Sequence, residues 1–357
     1  MTISERTADA VELLRRLVAV PSVSRDEAGA ADVVEAYLRQ HGLRPCRKGN
    51  NVWVVGEQRA DGRPTVLLDA HIDTVRPAPG WKRDPFSPTL EGDRLYGLGT
   101  NDDGGSLVSL MQAFLHITDP AAASGFPSAP NLIFLASCEE EVSGREGIES
   151  VLPLLPPVDF AVVGEPTAMQ PAVAEKGLMV IDVDEEGVSG HAARNEGVNA
   201  LYKAVDDIER IRHHEFSRVS PLLGAVKATV TIVNAGTQHN VVPAECRFTI
   251  DVRSNELYTN HELFDEISQL LQGQPVARSF RLGSSRIGSD HPIVRRAVSL
   301  GLKPFGSPTL SNQALMPFPS VKIGPGDSAR SHTADEFICL SEIEEGIRLY
   351  IELLTQV

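Results

Sequence analysis

The chain has 357 residues, of which 42% are hydrophobic and 23% charged, with a formal net charge of −15 and a pI near 5.1. This length favours two domains, and the composition is that of a globular protein rather than a disordered one. A surface this acidic repels phosphate backbones, which argues against a nucleic-acid-binding protein.

Neither a secretory signal nor a membrane span is predicted. The N-terminus reads as an amphipathic helix without the apolar core of a signal peptide, and the sequence has no run of about 18 apolar residues. No CxxC pair occurs among the four cysteines Cys46, Cys138, Cys246 and Cys339. We therefore expect four free thiols and a cytoplasmic location.

Apolar periodicity predicts alternating strands and helices in the first half of the chain. The run Val66-Leu67-Leu68 is uninterrupted, as expected of a strand buried on both faces. This order predicts a mostly parallel sheet with helices on both faces. The predicted elements are helices 8–18, 27–41, 105–117 and 144–154, strands 51–57, 64–70, 131–136 and 159–163, and a hairpin at 88–97.

The pattern changes near residue 177, where strands of alternating polarity begin. Two strand–helix–strand units there predict a small α+β domain with one open sheet. After residue 290 the first pattern returns, so we predict a domain formed by 1–176 and 289–357 and interrupted by an inserted domain at 177–288. The later elements are strands 178–184, 225–233, 244–253, 277–281 and 320–324, and helices 198–213, 261–272, 291–300 and 341–355.

His71 and Asp73 follow the predicted strand 64–70. Residues i and i+2 of a strand point to the same side, so the Asp73 carboxylate is expected behind the His71 imidazole, where it would raise the basicity of that ring toward a metal. Sites in open α/β sheets are built at the carboxyl ends of strands. Taken alone, this pair is more often a strand-end histidine beside a helix-capping acid.

Further acidic residues lie in a glycine-rich segment and directly after a predicted strand. The segment 97–105 carries Asp102 and Asp103, and two acids argue against a phosphate-binding loop. A cation-binding loop and a helix-capping turn both remain open for this segment. The run 139–141 of three glutamates directly follows strand 131–136, where it supplies either a metal ligand beside a proton-transfer group or a solvated helix start.

Two more candidate ligands complete a set. Glu165 follows strand 159–163, and His332 lies in a polar, glycine-rich stretch after strand 320–324. A lone histidine in such a stretch is more often structural. Together, however, these positions supply His, Asp, Glu, Glu and His, which matches two zinc ions that share one carboxylate.

The predicted insertion carries three residues with possible roles in binding: His191, Asn240 and Arg253. Arg253 ends an alternating strand and is placed either to clamp a substrate carboxylate or to form a surface salt bridge. His191 is either a core histidine or an electrophile that acts on a developing oxyanion.

Seven segments, in chain order, resemble one family of metallopeptidases. They are LLDAHIDTV, YGLGTNDDGG, the glutamate run, VVGEPT, SGHAARNEGVNA, NVVPAECRFTIDVR and GDSARSHTADEF. The family is M20, which contains acetylornithine deacetylase, succinyl-diaminopimelate desuccinylase, aminoacylase and glutamate carboxypeptidase. The resemblance covers essentially the whole chain and implies an α/β-sandwich zinc-hydrolase domain with an inserted ferredoxin-like lid and dimerisation domain.

The resemblance implies a cofactor of two Zn²⁺ ions, with Co²⁺ or Mn²⁺ as alternatives. His71 and Glu165 resemble the ligands of one ion, and Glu141 and His332 those of the other. Asp102 resembles the bridging carboxylate.

Further roles follow from the same resemblance. Glu140 resembles the general base and Asp73 the partner of His71. His191 resembles a lid histidine that reaches the active site of the opposite subunit, whereas Arg253 and Asn240 resemble substrate-binding residues, the former for the α-carboxylate. The expected partners are thus a small N-acyl amino acid and a second copy of the chain, with neither nucleic acid nor membrane.

The chain departs from the family at Glu139, where Asp is frequent, and at Gly104, where Lys is frequent. Neither position is a ligand. AVAEKGLM, GHAARNEG and LSNQALMPFP are most similar to the acetylornithine deacetylase branch. The resemblance therefore implies an amidohydrolase that removes an acetyl group from an amino acid such as N-acetylornithine in arginine biosynthesis. Alternatives are N-acetylcitrulline, N-succinylornithine or succinyl-diaminopimelate as substrate, a di- or tripeptidase, and a non-catalytic metal-binding dimer.

Overall fold

The structure, a computed structural model, describes residues 1–57, 60–119, 126, 129–194 and 196–356. The chain forms two compact units. The first contains residues 1–173, 287–305 and 311–357, and the second contains 174–286 and 306–310. The sequence predicts an insertion at 177–288, whereas the second unit also includes the short piece 306–310.

The helices and strands are numbered in chain order. The helices are α1 (Ile3–Val18), α2 (Ala28–Gln40), α3 (Gly105–Thr118), α4 (Ile148–Val151), α5 (Ala200–His213), α6 (Asn260–Ser268), α7 (Pro292–Ser299) and α8 (Leu340–Leu354). The strands are β1 (Cys46–Lys48), β2 (Asn51–Val55), β3 (Thr65–His71), β4 (Thr89–Glu91), β5 (Arg94–Tyr96), β6 (Asn131–Ser137), β7 (Phe160–Val163), β8 (Ala172–Glu175), β9 (Gly177–Glu186), β10 (Lys227–Ala235), β11 (Glu245–Ser254), β12 (Gln274–Ala277), β13 (Ser285–Arg286), β14 (Phe305–Ser307), β15 (Ser320–Lys322) and β16 (Phe337–Cys339).

The first unit is built on a sheet whose central strands are parallel. Strand β3 pairs in parallel with β6 and β7, and β15 pairs in parallel with β7. Antiparallel strands flank this set: β1 and β2 beside β6, and β8 beside β15 through the pair Lys322 and Ala172. The mostly parallel sheet predicted from the sequence is confirmed.

Every residue of β3 is buried, because both faces of the sheet are covered. Val66 and Leu68 belong to the larger core cluster, which also contains residues of α1, α3 and α8. Leu67 points to the other face, where it belongs to a cluster with Trp53 and Ile133. Alternate side chains of one strand thus enter two cores, as the uninterrupted apolar run indicated.

The second unit has the order β9, α5, β10, β11, α6, β12. Its four strands lie in the order β10-β11-β9-β12, and all neighbours are antiparallel. This is the topology of a ferredoxin-like α+β unit. Alternate residues of the sheet, such as Ile181 and Phe248, pack with Leu263 and Ile267 of α6 into a separate core.

Some predicted elements differ from those observed. Helix 144–154 is reduced to α4, followed by a single turn, and the strand expected at 277–281 is β12, at 274–277. An ideal Cβ at Gly147 would lie 2.4 Å from the carbonyl oxygen of Cys138, so the chain folds back on itself before α4 begins. Helix α1 begins at Ile3 rather than Ala8, because Thr2 forms a capping box.

Two other predictions are confirmed. The hairpin at 88–97 is formed by β4 and β5, with Glu91 opposite Arg94. The four cysteines are free thiols. No helix in the described part of the chain has the length and apolar character needed to cross a membrane.

Candidate metal centre

The carboxyl ends of parallel strands bring the predicted ligands to one edge of the first unit's sheet. His71 is the last residue of β3, Glu141 follows β6, Glu165 follows β7, and His332 lies in the loop after β15. Because these strands are parallel, their carboxyl ends meet at the same edge. Asp102 reaches this edge from a helical turn at 100–104 that precedes α3.

Asp102 lies between the two histidines. Its Oδ1 is 3.2 Å from Nε2 of His71, and its Oδ2 is 3.6 Å from Nε2 of His332. His332 Nε2 also lies 3.0 Å from the carboxylate of Glu141. One carboxylate thus presents one oxygen to each imidazole, which is the arrangement needed to bridge two cations.

Glu140 and Glu165 complete the cluster. Ligand atoms of His71, Glu140 and Glu165 lie within 4.8 Å of one another, and so do those of His71, Asp102 and Glu141. Oε2 of Glu140 is 4.0 Å from Nε2 of His71. The structure therefore brings together the five predicted ligands and the predicted base.

The cluster holds more carboxylates than its histidines can balance. Burial and the neighbouring carboxylates raise the pKa of Glu140 and that of Glu165 well above their usual range. Burial also acts to raise the pKa of Asp102, but the hydrogen bond and charge of His71 lower it on balance. Burial opposes the charge of His71, yet the hydrogen bond with Asp102 and the charge of Glu140 raise its pKa well above the usual value.

This donor set fits a divalent metal ion. Imidazole nitrogens and carboxylate oxygens are the ligands that zinc accepts in proteins. Surplus carboxylates in a site shielded from water need either protons or cations to balance them. The chemistry and placement of these residues therefore suit a metal centre.

Comparison with known proteins supports the same interpretation. Residues 67–356 match the peptidase family M20/M25/M40. The chain belongs to this family. It is therefore a metal-dependent hydrolase of amide bonds.

Relatives of this M20 enzyme match over nearly its full length. One, from Pyrobaculum aerophilum, is described as a LysW-lysine/LysW-ornithine hydrolase and is 27% identical over 97% of this chain and 98% of its own. The acetylornithine deacetylase of Pectobacterium carotovorum is 28% identical over 92% of each chain. The fold is similar to that of aminopeptidase PepT from Bacillus cereus, with a TM-score of 0.79, 18% identity and 98% of both chains covered.

In this M20 enzyme the Asp73 carboxylate lies near Nδ1 of His71, but the hydrogen bond to that nitrogen is made by the Asp73 main chain. Nδ1 of His71 donates to the main-chain carbonyl of Asp73 at 2.8 Å, and the Asp73 carboxylate is 3.6 Å away. Strand β3 ends at His71, so the strand rule does not extend to Asp73. The carboxylate accepts instead from the N–H groups of Glu140 and Glu141 and from the Ser24 hydroxyl. The carbonyl fixes the tautomer that leaves Nε2 of His71 facing the cluster.

Glu336 supports the backbone of the candidate metal centre, a role that the sequence motifs do not predict. Its buried carboxylate accepts from the N–H groups of Gly99, Asn101 and Asp102 at 3.2, 2.8 and 3.0 Å. Burial raises the pKa of Glu336 to about 7. The Asn101 side chain in turn bonds to the backbone of Asp327. The sequence carries a signal for this role, since Glu336 lies in the same polar segment as His332.

The other predicted residues lie in the second unit. The structure brings His191 and Asn240 close together, since the N–H of Ala192 donates to the Asn240 carbonyl at 3.0 Å. Arg253 donates through Nε and Nη2 to the two oxygens of Asp251, at 2.8 and 3.1 Å. Its guanidinium thus forms the salt bridge that the sequence left open as an alternative.

Proposed function

We propose that this M20 enzyme hydrolyses the amide bond of an N-acyl amino acid, such as N-acetylornithine, with the help of two Zn²⁺ ions. The observation that carries the proposal is Asp102, whose two oxygens face His71 and His332 beside Glu140. Asp102 would serve both ions, with His71 and Glu165 completing the first and Glu141 and His332 the second. Co²⁺ or Mn²⁺ would suit the same donors.

Glu140 is proposed to move the proton during catalysis. Bound zinc would polarise the acyl carbonyl and make water nucleophilic at neutral pH. Glu140 takes a proton from the attacking water and delivers it to the departing amine nitrogen.

The second unit would act as a lid and dimerisation domain that binds the substrate. Arg253 would take the α-carboxylate in exchange for that of Asp251, and Asn240 would contribute a further hydrogen bond. His191 would stabilise the developing oxyanion across the interface of a homodimer. Exposure of His191 and the partial exposure of Arg253 support these roles.

The substrate is proposed from the relatives. Both relatives described above carry ornithine in their names, and the one from Pectobacterium carotovorum is an acetylornithine deacetylase. We therefore favour N-acetylornithine, a reaction of arginine biosynthesis in the cytoplasm, where the four free thiols would remain reduced. N-acetylcitrulline, N-succinylornithine, succinyl-diaminopimelate and short peptides are the competing substrates.

The test is a hydrolysis panel with the zinc-loaded protein. Acetyl- and succinyl-ornithine, acetylcitrulline, succinyl-diaminopimelate, dipeptides and tripeptides are assayed for release of the free amine. We expect an N-acyl amino acid to have the highest kcat/KM. Cleavage of peptides alone would make the protein a peptidase, and bound zinc with no turnover of any compound would favour the non-catalytic alternative.

Glu140→Gln tests the role of the base. The variant should retain its zinc but lose about 10²- to 10⁴-fold in kcat, since general acid–base catalysis typically contributes that much. Zinc content by atomic emission and kcat on the best substrate provide the two readouts. A variant with wild-type kcat would contradict the role given to Glu140.

A further inference from the structure

The segment Cys138–Glu141 carries the proposed base and one proposed ligand, and buried side chains hold its backbone. All four of its consecutive N–H groups donate to side-chain oxygens. Cys138 donates to Asn51 at 3.1 Å and Glu139 to Glu27 at 3.3 Å. The remaining two donate to Asp73. Strand β6 has ended at Ser137, so these bonds replace the sheet's own ladder.

The side chain of Asn51 bonds to both ends of the turn formed by residues 138–146. The side chain is fully buried, and its Oδ1 accepts from Cys138. Its Nδ2 donates to the carbonyl of Glu146 at 2.6 Å and to that of Lys48 at 3.1 Å. The Asn51 amide thus connects Cys138 at the start of this turn, Glu146 at its end, and Lys48 of the preceding strand β1.

Glu27 holds Glu139, a residue of this segment with a left-handed backbone. Its carboxylate is fully buried, and it accepts from the N–H groups of Glu139 and Arg25 and from the Asn50 amide at 2.9 Å. Glu139 has a φ of 55°. Residues other than glycine keep this left-handed conformation only where the surroundings enforce it.

We infer that Asn51 and Glu27 are positioning residues for the reaction. By fixing the backbone from Cys138 to Glu141, they set the direction in which the Glu140 and Glu141 side chains leave the chain. The inference rests on the proposed roles of those two glutamates. A displacement of about 1 Å at a reacting group is enough to cost on the order of 10²-fold in rate, so loosening this backbone should reduce both catalysis and metal binding.

Asn51→Ala is tested against a matched control, Asn131→Ala. Asn131 is also a buried asparagine, and its side chain bonds to the backbone of Ala60 and Arg63 at 2.9–3.2 Å, but it lies at the opposite end of β6. Both variants should lower Tm to a similar extent. Only Asn51→Ala should lose about 10- to 100-fold in kcat and in Zn²⁺ affinity, with KM within about threefold of wild type.

Three measurements give these readouts. Calorimetry provides Tm, N-acetylornithine hydrolysis provides kcat and KM, and titration of Zn²⁺ into the metal-free protein provides an affinity that is independent of turnover. Equal losses of kcat and Zn²⁺ affinity in Asn51→Ala and Asn131→Ala would show a general effect on stability and would overturn the inference.

A pair of variants at Glu27 provides a second test, which also serves if Asn51→Ala does not fold. Glu27→Gln retains an oxygen for the N–H of Glu139, and Asn50 can turn its amide to accept from the new NH₂ group. Glu27→Ala offers no acceptor. Glu27→Gln should therefore remain within about threefold of wild-type kcat and Zn²⁺ affinity, whereas Glu27→Ala should lose about tenfold or more in both.

Glu140→Gln separates this inference from the proposed function. If Glu140→Gln is inactive while Asn51→Ala and Glu27→Ala keep wild-type kcat and Zn²⁺ affinity, the positioning roles are wrong and the proposed function stands. If Glu140→Gln is fully active, the proposed base is wrong. Weaker Zn²⁺ binding in Asn51→Ala, but not in Asn131→Ala, would still support a role of Asn51 in positioning the proposed ligand Glu141.

Discussion

Asp102 is the single residue shared by both halves of the proposed metal centre. Because its oxygens face His71 and His332 separately, Asp102→Ala should weaken both zinc sites. Glu165→Ala, in contrast, should weaken only the site that includes His71. Zinc per chain after dialysis, measured by atomic emission, should therefore fall further in Asp102→Ala. The losses in affinity should exceed the 10- to 100-fold typical of a supporting residue. Full zinc content in Asp102→Ala would rule out the bridging role.

Arg253 is the residue that we expect to distinguish a carboxylate-bearing substrate. Its guanidinium already binds Asp251 through two hydrogen bonds, a bidentate geometry that Lys cannot reproduce. Arg253→Lys should reduce kcat/KM by roughly tenfold or more, since a hydrogen bond to a charged group contributes about 1.5–3 kcal/mol. The loss should occur mainly in KM. It should also vanish when the substrate's α-carboxylate is replaced by an amide, and an equal loss on both compounds would contradict the assignment.

At the scale of the elements, strand β9 carries a buried acid that makes the second unit sensitive to pH. Burial and the neighbouring Asp207 raise the pKa of Glu185 to about 7 from 4.5. The folded unit thus retains a proton that the unfolded chain releases between these values, so stability falls as pH rises through that window. Glu185→Gln carries no charge at any pH and should remove this loss.

Thermal unfolding near pH 5 and near pH 8 checks the effect of Glu185→Gln. The variant should have a higher Tm than wild type at the higher pH, where the wild-type carboxylate is charged and buried, and a similar Tm at the lower pH. An identical change in Tm with pH in both proteins would show that Glu185 does not contribute.

The features that were predicted from the sequence are those that depend on residues close together in the chain. Strand β3 was predictable because its apolar run alone determines burial on both faces. The five proposed ligands could be selected from the sequence because their motifs occur in the order of a known family. The prediction of a helix at 144–154 was wrong because Gly147 packs against the carbonyl of Cys138. Hydrophobic periodicity does not reveal such a contact.

The supporting hydrogen bonds were least predictable, because they join distant parts of the chain. The bond between Glu336 and the N–H of Asn101 spans 235 positions. That between Asn51 and Cys138 spans 87. The hydrogen bonds that Asp73 accepts were not predictable for the same reason: its partners, Glu140 and Glu141, approach it only after β6 has paired with β3.

At the scale of the whole molecule, all proposed metal ligands belong to the first unit. Removal of zinc with a chelator should therefore destabilise that unit in particular, since a ligand at a hundredfold excess over its Kd adds about 2.7 kcal/mol. Hydrogen exchange with and without Zn²⁺ should show slower exchange in the segments 99–104 and 138–147. The strands of the second unit serve as the internal control, and equal protection there would contradict a site confined to the first unit.

The position of β15 in the sheet also affects how the chain folds during its synthesis. This late strand lies between β7 and β8, so a nascent chain lacks it until synthesis has passed residue 322. Until then β7 has an open edge whose unpaired peptide groups can pair with other chains. A stop codon before residue 320 should consequently yield insoluble aggregates rather than a soluble enzyme with reduced activity.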